Sequence, residues 1–168
     1  MKMEEIYTIL AYGGVTSLLL SAVILFSLYI NPRIWMQDLP KEVQKTIPQK
    51  SIKEKKQTLF VSIAFIMILL VLPATAVVSV VTQPLFSQAF LVSYLVYFTF
   101  NLTDLLFIDW LVVCTLTPDF IRIEGVDETV YKNYSKHAKD FLKGIILSIL
   151  PALISAIHGY LIVRYSLL

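Results

Sequence analysis

The stretch Gln57–Thr82, QTLFVSIAFIMILLVLPATAVVSVVT, runs 26 residues without a charged side chain. Eighteen or more consecutive apolar residues are the mark of a helix that spans a bilayer, because about 20 residues at 1.5 Å rise cross a 30 Å hydrocarbon core. Just upstream, Ser51-Ile52-Lys53-Glu54 matches a capping box, in which serine and glutamate satisfy orphan amide groups. The helix is therefore expected to start in water and run on to about Thr82. Gln83-Pro84 reads as a tight turn.

Working outward, the same pattern recurs three times. Ile6 to Ile30 is apolar and stops at Asn31-Pro32, since proline disfavours helix at the residue before it. A third apolar run begins at Leu85 and continues to Thr117, before Pro118. A fourth runs from Gly144 to Val163. The expected fold is all-α, a single integral-membrane four-helix bundle with spans at about 6–30, 57–82, 85–108 and 144–163. Composition agrees: 57% of the 168 residues are hydrophobic and 15% charged, against roughly 45–50% and about 25% in soluble domains.

The third run is too long for one span. Its 33 residues would reach about 50 Å as an α-helix, well beyond the hydrocarbon core. Trp110, a residue type that favours the membrane interface, offers a stopping point. The expectation is a span from Leu85 to Ile108, with a helical extension to 117 projecting out. Trp35 would mark the same interface.

Charge sets the orientation. The first connection carries Arg33, Lys41, Lys45, Lys50, Lys53, Lys55 and Lys56, which places it in the cytoplasm by the positive-inside rule. Both termini then lie outside, and the connection from Asp119 to Lys143 returns to the cytoplasm. Arg164 is the one dissent. A cell membrane of the bacterial inner type is the expected location. The N-terminus shows no secretory signal: Glu4 and Glu5 face one Lys2, and the first apolar run is too long for a signal core. Cys114 is the only cysteine, so no internal disulfide forms. The basic residues sit beside spans without an aromatic stacking platform, which argues against nucleic acid.

The halves echo one another. Asn31-Pro32 and Thr117-Pro118 close the first and third spans; Leu72-Pro73-Ala74 and Leu150-Pro151-Ala152 lie midway along the second and fourth. Two parallel hairpins related by a pseudo-twofold axis along the membrane normal would give this pattern, as would coincidence among short apolar strings. Gly13, Ser17 and Ser21 recur every four residues, as do Ser148, Ala152 and Ala156. Such small residues let helices approach closely in lipid. From Asp127, a plausible N-cap, Tyr131, Tyr134, Ala138, Phe141 and Ile145 follow helical spacing, so the fourth helix is expected to begin outside the membrane and enter it unbroken.

The functional signal is Asn101-Leu-Thr-Asp104-Leu-Leu-Phe-Ile-Asp109-Trp110. An aspartate at a helix centre costs about 2.5–3.5 kcal/mol on insertion scales and normally faces the bundle interior with a partner. Asn101 and Asp104 share an α-helical face, with Thr115 roughly on it. Asp109 lies about 140° from Asp104 at 100° per residue, so the acids either take separate partners or border a wide cavity. Asp104 reads either as interhelical glue or as a proton, cation or head-group site. It is expected to be protonated part of the time, or held ionised by a cation or by donors such as Asn101. His158, in the outer half of the fourth span, reads as a titratable site or an interhelical hydrogen-bonding group. His137 reads as a surface residue, and Tyr12, Tyr94 and Tyr97 as interhelical or interfacial.

The expected binding residues are Asn101, Asp104, Asp109, Thr115 and His158. No spaced zinc motif, phosphate-binding glycine loop or nucleophile elbow occurs, and no cofactor is implied. A binding or transport role for a lipid, amphiphile or cation is favoured over an enzyme with Asp109, Asp119 and His137 at the cytoplasmic mouth, and over an accessory subunit. Partners would be membrane lipids and, because four spans are few for a transporter, a homodimer or larger complex.

Overall fold

The computed structural model describes residues 2–83 and 85–166. Pro84, half of the expected tight turn, lies outside the described residues. Four long apolar helices form the bundle: α1 (Met3–Ile30), α3 (Ile52–Val80), α4 (Phe86–Thr103, prolonged by a helical stretch Asp104–Leu116) and α6 (Ile149–Ser166), the last reached through α5 (Tyr134–Leu147). A short α2 (Lys41–Thr46) lies in the first connection. Four helices of this length and apolarity make the chain a multi-pass membrane protein.

Both long connections sit at one end of the bundle, called here the connection end. Ser51 caps α3 as expected: its Oγ accepts from the Glu54 amide at 3.3 Å, and Glu54 Oε2 accepts from the Ser51 amide at 2.7 Å. Arg33 then ties the first connection down, pairing with Glu54 at 2.5 Å and donating to the Pro48 carbonyl at 2.6 Å. Asp127 caps only a single 3-10 turn, Glu128–Val130, and Asn133 caps α5 instead. Tyr131 is thereby withdrawn from the helical series. It is buried in the loop, its hydroxyl accepting from the Ile123 amide at 2.9 Å. α5 leads into α6 through Ser148 alone, whose backbone stays in the right-handed helical region and keeps the helical bonds from its amide to the Gly144 carbonyl at 2.9 Å and from the Ala152 amide to its carbonyl at 3.0 Å, so the fourth long helix does run from the connection into the bundle.

α1 packs on α3 and α4, and α6 packs on the same two helices, so α1 and α6 occupy opposite corners. Two seams are tight because a glycine removes the side chain between them. A Cβ on Gly13 would stand 2.8 Å from Thr99 Cβ, and one on Gly159 would stand 2.6 Å from Val77 Cβ. The stripes of small residues face protein: Gly13, Ser17 and Ser21 are buried, as are Ser148, Ala152 and Ala156. The packing order does not display a twofold relation between the halves.

Pro73 has no N–H, so the Leu69 carbonyl loses its helical partner. Tyr97 of α4 donates its hydroxyl to that carbonyl, and Ser155 of α6 donates to the Leu70 carbonyl at 3.1 Å. Three helices meet at this node in the bilayer, where no water is available to satisfy a freed backbone group. Tyr12 reaches Ser79 at 2.8 Å and Tyr94 the Ile145 carbonyl at 3.2 Å, so all three tyrosines bond between helices.

The bundle is tight away from the connections and loose towards them. The buried residues of α3 are Pro73, Ala74, Ala76, Val77 and Val80, all in its second half. None of α5 is buried. The candidate site lies between the end of α1, the first connection, the stretch after Asp104 and α5.

Candidate functional site

The site begins with a change of helix type. From Asp104 to Leu116 the third long helix is a π-helix, 13 residues long. Its end shows the widened pitch: the Thr117 amide bonds the Val112 carbonyl, five residues back, at 2.9 Å. π segments are rare, usually a single turn, and frequent at functional sites. Thr117 terminates it in the left-handed region at φ 41°, ψ 53°, strained for a β-branched residue. Arg122 steadies that turn, donating two N–H groups to the Thr117 carbonyl at 3.0 and 2.9 Å.

The widening alters the geometry of the two acids. The separation of about 140° assumed an α-helix. Hydrogen bonds from i to i+5 bring residues five apart towards one stripe, and Asp104 and Asp109 line the same chamber. The widening also bears on the helix's length. Rise falls from about 2.0 Å in a 3-10 helix to about 1.5 Å in an α-helix as the bonding ring grows, so a π segment advances less per residue. The 18 residues Phe86–Thr103 cover about 27 Å and the 28 of α1 about 42 Å. Beyond Trp110 the chain lies beside the end of α1: Leu111 and Leu116 keep exposed apolar faces, and Phe120 meets Tyr29 edge to face at 6.0 Å.

α5 runs back along the π segment and supplies a histidine. His137 Nδ1 stands 2.9 Å from Asp109 Oδ1, both side chains largely buried. A carboxylate at this distance fixes the imidazole's tautomer and orientation, leaving Nε2 without a protein partner among the described residues. Lys136, next in the chain, lines the same chamber but is held by Asp140 at 2.9 Å. The first connection adds Asp38, at the end of the 3-10 stretch Pro32–Asp38. Asp38 and Asp104 accept no hydrogen bond and close no ion pair among the described residues. Asp38 is exposed at the mouth yet walled by protein, and burial is the main influence raising its pKa, with Asp109 and Asp140 adding to the rise and Lys136 and His137 opposing it.

These groups stand where two spaces join. On one side is a chamber of about 140 Å³ with apolar walls from Ile24, Leu28, Ile108, Val113 and Ile121. On the other is a vestibule of about 620 Å³ rimmed by Lys41, Gln44, Asp140 and Lys143. Asp38, Asp104, Asp109, Lys136 and His137 border both. The second connection closes the chamber from below through Ile121, Ile123 and Tyr131.

Of the five expected residues, Asp104 and Asp109 come together here. Asn101 instead joins helices, donating to Ser148 Oγ at 2.8 Å and the Tyr97 carbonyl at 3.0 Å. Thr115 is exposed and bonds the Trp110 carbonyl at 2.6 Å and the Tyr134 hydroxyl at 2.9 Å. His158 lies on the exposed face of α6, away from the chamber. His137, read from sequence as a surface residue, is in the site. Asp38 and Lys136 went unnoticed; an acid set between Trp35 and Leu39 in a lysine-rich segment was the available signal for Asp38. Among the described residues no three His, Cys, Asp or Glu are placed to hold a metal ion. No family model, no curated protein and no solved structure matches this chain, so what the site does rests on its own geometry.

Proposed function

We propose that the protein binds a small amphiphilic cation, an amine or ammonium group carrying an apolar portion, at the junction of chamber and vestibule. The observation that carries this is the pair of unpartnered carboxylates, Asp38 and Asp104, facing one space with Asp109. Three acids there face one histidine and a lysine already held by Asp140. Clustered carboxylates in a poorly hydrated site need protons or a cation, and an anionic head such as phosphate would be repelled. The chamber matches in size a cavity of about 150 Å³ that takes benzene, so the apolar portion is about the size of a ring. In the membrane the connection end would face the cytoplasm, where its lysine excess belongs, with both termini outside. A transport version of this reading needs a second copy or larger partner around the four spans.

The test is binding of 2-phenylethylammonium, with 3-phenylpropionate as its anionic counterpart, to protein in nanodiscs by calorimetry. The ammonium ion should bind and the carboxylate should not. Asp104→Asn keeps the shape and removes the charge. A charge-assisted hydrogen bond of about 1.5–3 kcal/mol makes the expected loss about tenfold or more. Undiminished binding by a folded Asp104→Asn protein would sink the proposal.

A second reading is favoured by the Asp109–His137 pair alone. A carboxylate-oriented imidazole with a free Nε2 beside an apolar chamber is placed to act as a general base on water, which would make the protein a hydrolase of an amphiphilic ester. His137→Ala separates the two: under this reading it abolishes hydrolysis of a short neutral ester, whereas under the first it leaves ammonium binding largely intact.

A further inference from the structure

We infer that a groove on the lipid-facing side of α1 and α3, at the connection end, is a binding site for one anionic phospholipid. This inference is independent of the acidic chamber. The groove holds about 420 Å³ and lies between Phe26 and Ile30 of α1 and Phe60, Val61 and Ala64 of α3, with Lys56 at its rim. It exists because small residues, Ser27 and Ala64, line the seam where larger ones would close it. The one hydroxyl in it is spent: Ser27 Oγ donates to the Ile24 carbonyl at 2.8 Å and accepts from Trp35 Nε1 at 2.7 Å. Gln57, which also lines the groove, accepts from Asn31 Nδ2 at 3.0 Å. What remains is a largely apolar trough, suited to an acyl chain rather than to a polar ligand.

Charge complementarity identifies the head group. The basic residues of the second connection are mostly neutralised: Arg122 pairs with Asp119 and Glu128, Lys132 with Glu128, and Lys136 and Lys143 with Asp140. In the first turns of α3 the reverse holds. Glu54, the acid there, is committed to Arg33. Lys53, Lys55 and Lys56 are exposed and close no ion pair among the described residues. Lys53 and Lys56 are three apart and share a helix face, and Phe60, four residues on from Lys56, continues that face into the trough. An uncompensated pair of ammonium groups thus stands over the mouth of an apolar groove. A phosphodiester with a net negative head meets both features, its chain in the trough and its phosphate at Lys53 and Lys56; a zwitterionic head brings its own cation into the same positive field.

The experiment is native mass spectrometry of protein extracted from nanodiscs of equimolar phosphatidylglycerol and phosphatidylcholine with matched chains. Lysines near a membrane surface attract anionic lipid by about 1 kcal/mol each, about fivefold per residue. The unmodified protein should retain one phosphatidylglycerol with a preference of about tenfold or more. K53Q/K56Q, changing two exposed side chains, should keep its thermal transition and lose the preference to within about twofold, still retaining lipid without regard to head group. Ala64→Phe should fill the trough and remove the retained lipid of either kind. Equal retention of both lipids by the unmodified protein, or an undiminished preference in K53Q/K56Q, overturns the inference.

Discussion

Tyr97→Phe removes one oxygen from the centre of the bundle. The ring is 2% exposed and stays in place, so the change opens almost no cavity. Its effect comes through the Leu69 carbonyl, which Pro73 deprives of its helical donor and which Tyr97 serves. Ser155 cannot substitute, because its hydroxyl is already given to Leu70 and lies 3.2 Å from the Tyr97 oxygen. An unsatisfied buried acceptor costs about 1–3 kcal/mol, while interhelical hydrogen bonds measured in membranes average only about 0.6 kcal/mol, since the alternative state finds other partners. Among the described residues no other side chain bonds this carbonyl, so the expected loss is about 1–2 kcal/mol. At roughly 2–4 °C per kcal/mol for a chain of this size, thermal unfolding in detergent should fall by about 2–8 °C. The cause is separable from the size of the effect. Pro73→Ala restores an N–H at position 73, which returns the Leu69 carbonyl to its own helix. In that background Tyr97→Phe should cost about 0.5 kcal/mol or less, giving a coupling of about 1 kcal/mol in the double-mutant cycle. An equal cost of Tyr97→Phe in both backgrounds would refute the reasoning.

Asp38→Asn tests the mouth of the site. Burial raises its folded-state pKa above the usual 3.8, so the folded protein holds this proton more tightly than the unfolded chain and stability falls as pH climbs through that interval. Asp38→Asn should therefore raise the melting temperature at pH 7 and leave it unchanged below pH 3.8; a gain of the same size at both pH values would contradict this. Ser17 is 4% exposed and Leu19 42%, so Ser17→Phe should cost about 1–3 kcal/mol by overpacking and Leu19→Phe close to nothing, measured by thermal unfolding. Topology is checked by a membrane-impermeant thiol reagent on intact cells, after replacing Cys114. Cysteine at Met3 should react and cysteine at Gln49 should not; labelling at Gln49 would reverse the proposed orientation.

Sequence alone was enough for the helices and their seams. Uncharged runs such as Gln57–Thr82 are long enough to cross hydrocarbon as a helix, which bonds nearly all of its backbone groups within itself. Ser51 and Glu54 fixed the start of α3 because a capping box acts over three residues, and the stripes at Gly13 and Ser148 announced the faces that pack. The site was only half legible. Asp104 and Asp109 stood out because acids are costly in a span, but their mutual angle depends on helix pitch, and i to i+4 and i to i+5 bonding cannot be told apart from residue types. Asn101 looked like a ligand and His137 like a surface group because exchangeable polar residues reveal their partners only once helices dock. Asp38, Asp109 and His137 come from three segments spread over a hundred positions. What gathers them is the return of α5 along the π segment and the tethering of the first connection by Arg33 and Glu54, long-range contacts that tertiary packing alone decides.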